Sequence, residues 1–212
     1  MSKPQGIRRW HRLMGMLLVL PFLVWAVTGV IFHIKPGYGE AYARITPRFY
    51  PLREAYEIRP SPDWQSFQVM RTLLGDHLLV RTTEGERRHL SPATLAPMPE
   101  PSAADLTRLF EEAIAANPQR YGTLGPLTGT ATTTSTGVKI SLDWASLTMS
   151  QYGPDTRLID TLYRMHYLQW TGQTTIDRLL PLAGLALLVL MTGSGIRLLF
   201  QGRRNRAKPG VH

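Results

Sequence analysis

Hydrophobic positions along the chain fall into two long runs near its ends, separated by a middle in which apolar and polar residues alternate over short stretches. Leu13 to Phe32 is a run of 20 residues without a charged side chain, interrupted only by Gly15, Pro21, Thr28 and Gly29. That length spans about 30 Å of hydrocarbon as a helix. The second run, Leu179 to Phe200, carries Arg197 near its end, where the guanidinium can snorkel to the interface. The pattern predicts membrane helices at 13–33 and 179–200, a domain at 34–178, and short tails at 1–12 and 201–212.

The middle reads as α+β. Leu78 to Thr82 and Arg87 to Leu90 flank Glu84-Gly85 as a hairpin would. After a proline-rich stretch, Ser102 is placed to cap a helix over Asp105–Ala116, with Leu106, Leu109, Phe110, Ala113 and Ile114 on one face. A Thr/Gly-rich stretch reads as flexible. Beyond it, Val138 to Trp144 alternates as a strand that Leu147 to Tyr152 can pair with. Thr156 to Leu168 then forms a helix leading to the second run.

Charge sets the orientation. Of the net +9, Lys3, Arg8, Arg9 and Arg12 lie before the first run, and Arg197, Arg203, Arg204, Arg206 and Lys208 close the chain, with no acid in either segment. Residues 13–196 are therefore neutral, which argues against a nucleic-acid interface on the middle domain. Lys and Arg at both outer ends of the hairpin predict that both termini are cytoplasmic and the domain lies on the opposite face, which in a bacterium is the periplasm. Ala41-Tyr42-Ala43 resembles a signal cleavage site but lies well past an apolar run too long for a signal core, so the first run reads as an uncleaved anchor.

The chain contains no cysteine. Disulfides, thiolate metal sites and cysteine nucleophiles are excluded, and the sequence has neither a GxSxG elbow nor an HExxH pair to suggest a hydrolase. Any redox metal must then use histidine, methionine or carboxylate, and the histidines are the ones that position singles out. His11 stands at the entrance of the first run, His33 just past its end, and His166 shortly before the second. The 22 residues between His11 and His33 correspond to about 33 Å of helix and nearly whole turns, so the two share a face at opposite ends. Gly15 and Gly29 lie one turn inward of each on that face, leaving room for a flat macrocycle or for another helix. His77 and His89 read as ordinary strand or surface residues. Tyr38, Glu40, Tyr42, Tyr163, Trp170 and Asp177 are expected near the periplasmic mouth, as interfacial residues or as contacts for an acceptor.

Arg9-Trp10-His11-Arg12 with Gly15, Thr28-Gly29 with His33, Leu162-Tyr163-Arg164-Met165-His166, Gly172 and Thr192-Gly193 together resemble the PepSY-associated transmembrane family, in its short two-helix form. Leu78 to Met98 resembles a PepSY unit, with Ser91-Pro92-Ala93-Thr94 at a turn whose usual glycine is absent. The resemblance implies an inner-membrane ferric iron reductase: b-type haem on paired histidines, and electrons passing to ferric iron or a ferric siderophore in support of iron acquisition. His33 and His166 match the periplasmic-side ligands, and His11 a cytoplasmic-side one, with Gly15 and Gly29 as haem-facing small residues. One hairpin supplies two helices, so a haem-holding four-helix bundle predicts a homodimer. His11 would then pair with its copy across the two-fold axis, pair with His212 of the tail, or bind no haem. The electron donor is open between quinol and a cytoplasmic system. The competing reading is non-enzymatic: a membrane-anchored PepSY module that binds or regulates a periplasmic protease or transporter.

Overall fold

The computed structural model describes residues 3–206; His212, one expected partner of His11, lies outside them. In chain order, helix α1 (Lys3–Ile34) and a single turn α2 (Tyr38–Ala41) precede strands β1 (Trp64–Thr72), β2 (Gly75–Thr82) and β3 (Arg87–Leu90). Helix α3 (Ala103–Ile114) and the turn α4 (Pro118–Tyr121) lead to β4 (Leu124–Thr128), β5 (Ala131–Thr134), β6 (Lys139–Asp143) and β7 (Thr148–Tyr152). Helices α5 (Pro154–His166) and α6 (Thr174–Arg206) complete the chain. Two compact units result, one from residues 37–157 and the other from residues before 37 and after 157.

In the helical unit, α1 and α6 pack on each other, and each is long and apolar enough to cross a membrane, over Gly6–Ile34 and Thr174–Gln201. Both are longer than their apolar runs because charged residues ride on the outer turns. Pro21 and Pro181 lie inside them, each removing one backbone hydrogen bond without breaking the helix. Lys35 closes α1 in the left-handed conformation (φ 51°), and Pro36 prevents its continuation.

In the other unit, β1, β2 and β3 form one antiparallel meander and β4 to β7 a second. The 82–87 hairpin has the expected register, Arg81 opposite Arg87 and Leu78 opposite Leu90. Ser102 caps α3 by accepting the Asp105 N–H (3.2 Å), and the five apolar residues named from the helical pattern are all buried. They pack with Ile140, Leu142 and Met149 of the second sheet, with Val138 just before β6 and with Ile45 into the main core. A smaller cluster, Leu78, Val80 and Leu90, lies on the opposite face of β2 under Ile58 and Trp64.

Two pairs of elements depart from the sequence pattern. β1 is an edge strand whose residues 65–68 are exposed, so it shows no clean alternation, and its hairpin to β2 turns through Leu73-Leu74 with Gly75 (φ 114°) after it. An apolar turn of this kind carries no turn signature. The Thr/Gly stretch expected to be flexible is the β4–β5 hairpin, turning at Gly129 (φ 59°). Threonine suits a pleated half-buried surface, and Thr132 and Thr134 are buried.

Candidate functional site

Two of the predicted histidines are held in the same way at different levels of the hairpin. His166, the last residue of α5, lies against α1 with its Nδ1 2.8 Å from the Thr28 hydroxyl. His11 of α1 lies against α6 with its Nδ1 2.8 Å from the Ser194 hydroxyl. Each hydroxyl has a single proton, and each is within 2.7–2.8 Å of a carbonyl on its own helix, Val24 for Thr28 and Met191 for Ser194. With that proton given to the backbone, the oxygen accepts from the imidazole. In that arrangement Nδ1 carries the proton and the Nε2 lone pair is left over. A neutral imidazole whose other nitrogen is anchored in this way is the form that ligates a metal.

A glycine follows each hydroxyl, and at Gly195 its missing side chain makes the close approach possible. A Cβ on Gly195 would stand 3.2 Å from Cε1 of His11, and one on Gly29 would stand 3.9 Å from Cε1 of His166. His166 is half-buried among aromatic rings: Trp25 stacks at 5.5 Å, Phe32 meets it edge-on at 5.0 Å and Tyr167 at 5.4 Å. Gly15 faces a thioether, its Cβ position 3.8 Å from Met191 Sδ. Gly15 and Gly29 each face a side chain from another helix at ordinary contact distance. Beside Gly15 lies an apolar groove of about 640 Å³, lined among others by Arg12, Phe22, Leu188 and Met191.

His33 is placed differently. It is exposed near the end of α1, and among the described residues it makes no hydrogen bond or ring contact, so a single chain does not bring it onto His166. Of the expected mouth residues, Asp177 accepts the Thr171 hydroxyl (2.8 Å) and the Thr171 and Gly172 N–H groups, and Trp170 donates to the Met165 carbonyl (3.2 Å). Tyr163 stacks on Phe32 at 4.4 Å. In the sheet unit, Glu40 accepts from Asn117 (2.9 Å) and Tyr38 lies beside Tyr42. His77 and His89 are not surface residues: they are 0% and 7% exposed and hydrogen-bonded to each other.

The order of the motifs on this frame has a counterpart among known families. The model of the PepSY-associated TM region matches residues 2–203. The chain belongs to that family. No curated protein and no solved structure matches it. The family match covers both membrane helices and the sheet unit between them, so this member of the PepSY-associated TM region is a membrane protein with a small antiparallel-sheet domain inserted in its hairpin.

The roles of Thr28 and Ser194 were not legible in advance. Their signal was present: a hydroxyl residue followed by glycine occurs in each span, at Thr28-Gly29 and Ser194-Gly195. Only the pairing of helices reveals which imidazole each one meets.

Proposed function

We propose that the chain is a haem b-binding reductase of the bacterial inner membrane, passing electrons outward to ferric iron or a ferric siderophore. The observation that carries this reading is the shared anchoring of His11 and His166, each fixed through Nδ1 by a helix hydroxyl so that Nε2 remains a ligand. Haem bound there would supply one-electron Fe(III)/Fe(II) chemistry. The protein contributes the rest. Thr28 and Ser194 hold the rings against rotation, and Gly195 lets His11 sit close to α6. Gly29 lies 18 residues beyond His11 on α1, about 27 Å along the axis, so the two anchored histidines serve different depths of the membrane.

Each anchored ring offers one lone pair, and a six-coordinate iron needs two. A homodimer answers this: two hairpins make a four-helix bundle, and the exposed His33 of one copy becomes available to the other. The basic ends support an orientation with both termini in the cytoplasm and the sheet unit in the periplasm, where the acceptor would be met. The donor is a cytoplasmic reductant or quinol.

The test is spectroscopic. Protein purified in detergent from haem-replete cells is expected to show a Soret band and sharpened α and β bands on reduction, and to be reoxidised by a ferric chelate. Colourless protein that also takes up no added haem would overturn the reading and leave a membrane-anchored binding module.

A further inference from the structure

At the end of the hairpin away from the termini, the link between α5 and α6 borders an open cleft of about 520 Å³, lined by Arg164, Gln169, Gly172, Thr174, Asp177 and Arg178. That volume is in the range of small-molecule sites. The lining contains no apolar side chain.

The link is pinned from both helices. The Gln169 N–H donates to the Arg164 carbonyl (2.8 Å), and Leu168 (φ 57°) and Gly172 (φ 72°) take left-handed conformations as the chain reverses. The Asp177 carboxylate is turned back into the link, where it accepts the Thr171 and Gly172 N–H groups and the Thr171 hydroxyl. The one acid of the cleft is thus occupied. Arg164, in the last turn of α5, and Arg178, early in α6, are both exposed, and among the described residues neither has a carboxylate within ion-pair distance. Two cations on one cleft concentrate anions there.

Their position calls for a reason. Arg178 directly precedes the second apolar run, and in the orientation that the basic ends support it lies on the side where Lys and Arg are disfavoured. A lipid phosphate is the ordinary partner of an interfacial arginine, but it arrives with acyl chains, and this cleft has no apolar side chain to receive them.

We infer that the cleft binds the acceptor, a ferric chelate built on carboxylates, through its anionic oxygens on Arg164 and Arg178. The inference rests on the reductase reading and narrows its substrate to anionic chelates. Guanidinium and carboxylate pair through two parallel hydrogen bonds, so two arginines suit a chelate with two free carboxylate edges. Arg164 and His166 share the last turn of α5, about 200° apart around its axis, so the chelate and the imidazole stand at one depth on opposite sides of a single helix. The step moves one electron from the proposed haem, Fe(II) to Fe(III), to the chelated iron, Fe(III) to Fe(II), and no covalent bond forms or breaks.

Gallium(III) citrate copies the charge and shape of ferric citrate but is not reduced, so its binding reports the cleft with or without haem. Full-length protein in phosphatidylcholine nanodiscs is to be titrated with it by calorimetry. Saturable binding is expected, weakened at least tenfold in Arg164→Gln/Arg178→Gln and largely kept in Arg164→Lys/Arg178→Lys. A neutral gallium trihydroxamate should bind at least tenfold more weakly than the citrate complex. Absence of binding, equal affinity in the Gln variant or equal affinity for the trihydroxamate overturns the assignment. So does binding abolished by phosphatidylglycerol in the nanodisc, which gives the cleft to lipid headgroups. If the Gln variant does not fold, wild-type affinity that stays constant as chloride is added is the refutation. Binding by colourless protein removes the reductase reading and leaves an anion site; a haem protein without binding removes the site and leaves the reductase.

Discussion

His166 and Thr28 are 138 positions apart in sequence, yet the imidazole Nδ1 and the hydroxyl oxygen are 2.8 Å apart, on α5 and α1. This bond joins the returning helix to the first membrane span and fixes the orientation of the imidazole. Thr28 is itself 2% exposed, so its hydroxyl needs both the Val24 carbonyl and the imidazole as partners.

Thr28→Val is isosteric and removes only that partner. Under the haem reading it should weaken haem retention by roughly 10–100-fold, the usual effect of removing an outer partner of a metal-ligating histidine. Thr28→Ser should retain it. Haem titration of the detergent-solubilised protein, followed at the Soret band, checks both; equal retention in Val and Ser variants would show that the hydroxyl does not position the ring.

The two glycines beside the histidines should respond unequally. A Cβ at Gly29 meets His166 at 3.9 Å, ordinary van der Waals contact, whereas at Gly195 it meets His11 at 3.2 Å, which forces the ring aside by a few tenths of an ångström. Gly29→Ala is therefore expected to be close to neutral. Gly195→Ala should disturb His11, and Gly195→Val should break its bond to Ser194. Histidine ¹⁵N shifts in the purified variants are the direct readout, with His11 moving and His166 unchanged.

Much of this frame is visible in the sequence because it rests on patterns that dominate locally. The two apolar runs, the Glu84-Gly85 hairpin and the Ser102 cap each sit within a few residues of their cause. β1 and the β4–β5 hairpin are not visible, since an edge strand is specified by its neighbour and a threonine-rich strand resembles a loop in composition. The site divides along the same line. His11, His33 and His166 stand out as histidines at span ends, but their partners depend on helix packing, and that packing supplies a hydroxyl partner to His11 and His166. His77 and His89 look ordinary because burial of a strand histidine is decided by the opposite sheet.

The buried pair should also make stability depend on pH. Its neutral form is favoured in the folded state, so stability is constant above 6.5 and falls as pH drops toward 4, with the shift at His77 worth about 3 kcal/mol at most. Chemical denaturation at pH 7.5 and pH 5, monitored by tryptophan fluorescence, should show the wild type losing stability and His77→Phe/His89→Leu losing less. The double variant should be weaker at pH 7.5, because Thr72 and the Trp144 carbonyl lose their partners.

Arg120 and Asp155 offer a test of how the sheet unit holds a charge. The Arg120 guanidinium is 7% exposed and donates to Asp155 at 2.7 and 3.4 Å and to Gln151 at 2.8 Å, whereas the Asp155 side chain is 33% exposed and also accepts the Thr156 N–H at 2.8 Å. The two partners therefore differ in what their loss leaves behind. Removing Arg120 leaves a carboxylate that water and a backbone N–H can still serve; removing Asp155 leaves a buried cation with an amide oxygen and the Tyr121 ring face but no opposite charge in hydrogen-bond contact. Asp155→Ala should accordingly cost about 3 kcal/mol, near the lower end for breaking a buried pair, and Arg120→Met roughly half of that. Hydrogen bonding from Arg120 holds the Asp155 carboxyl below its ordinary value, so the pair stabilises above that value and is lost as pH falls through the acid range. Urea titrations of both variants at pH 7 give the ordering. Equal losses, or a larger loss for Arg120→Met, would mean that packing of the arginine stem outweighs the stranded charge.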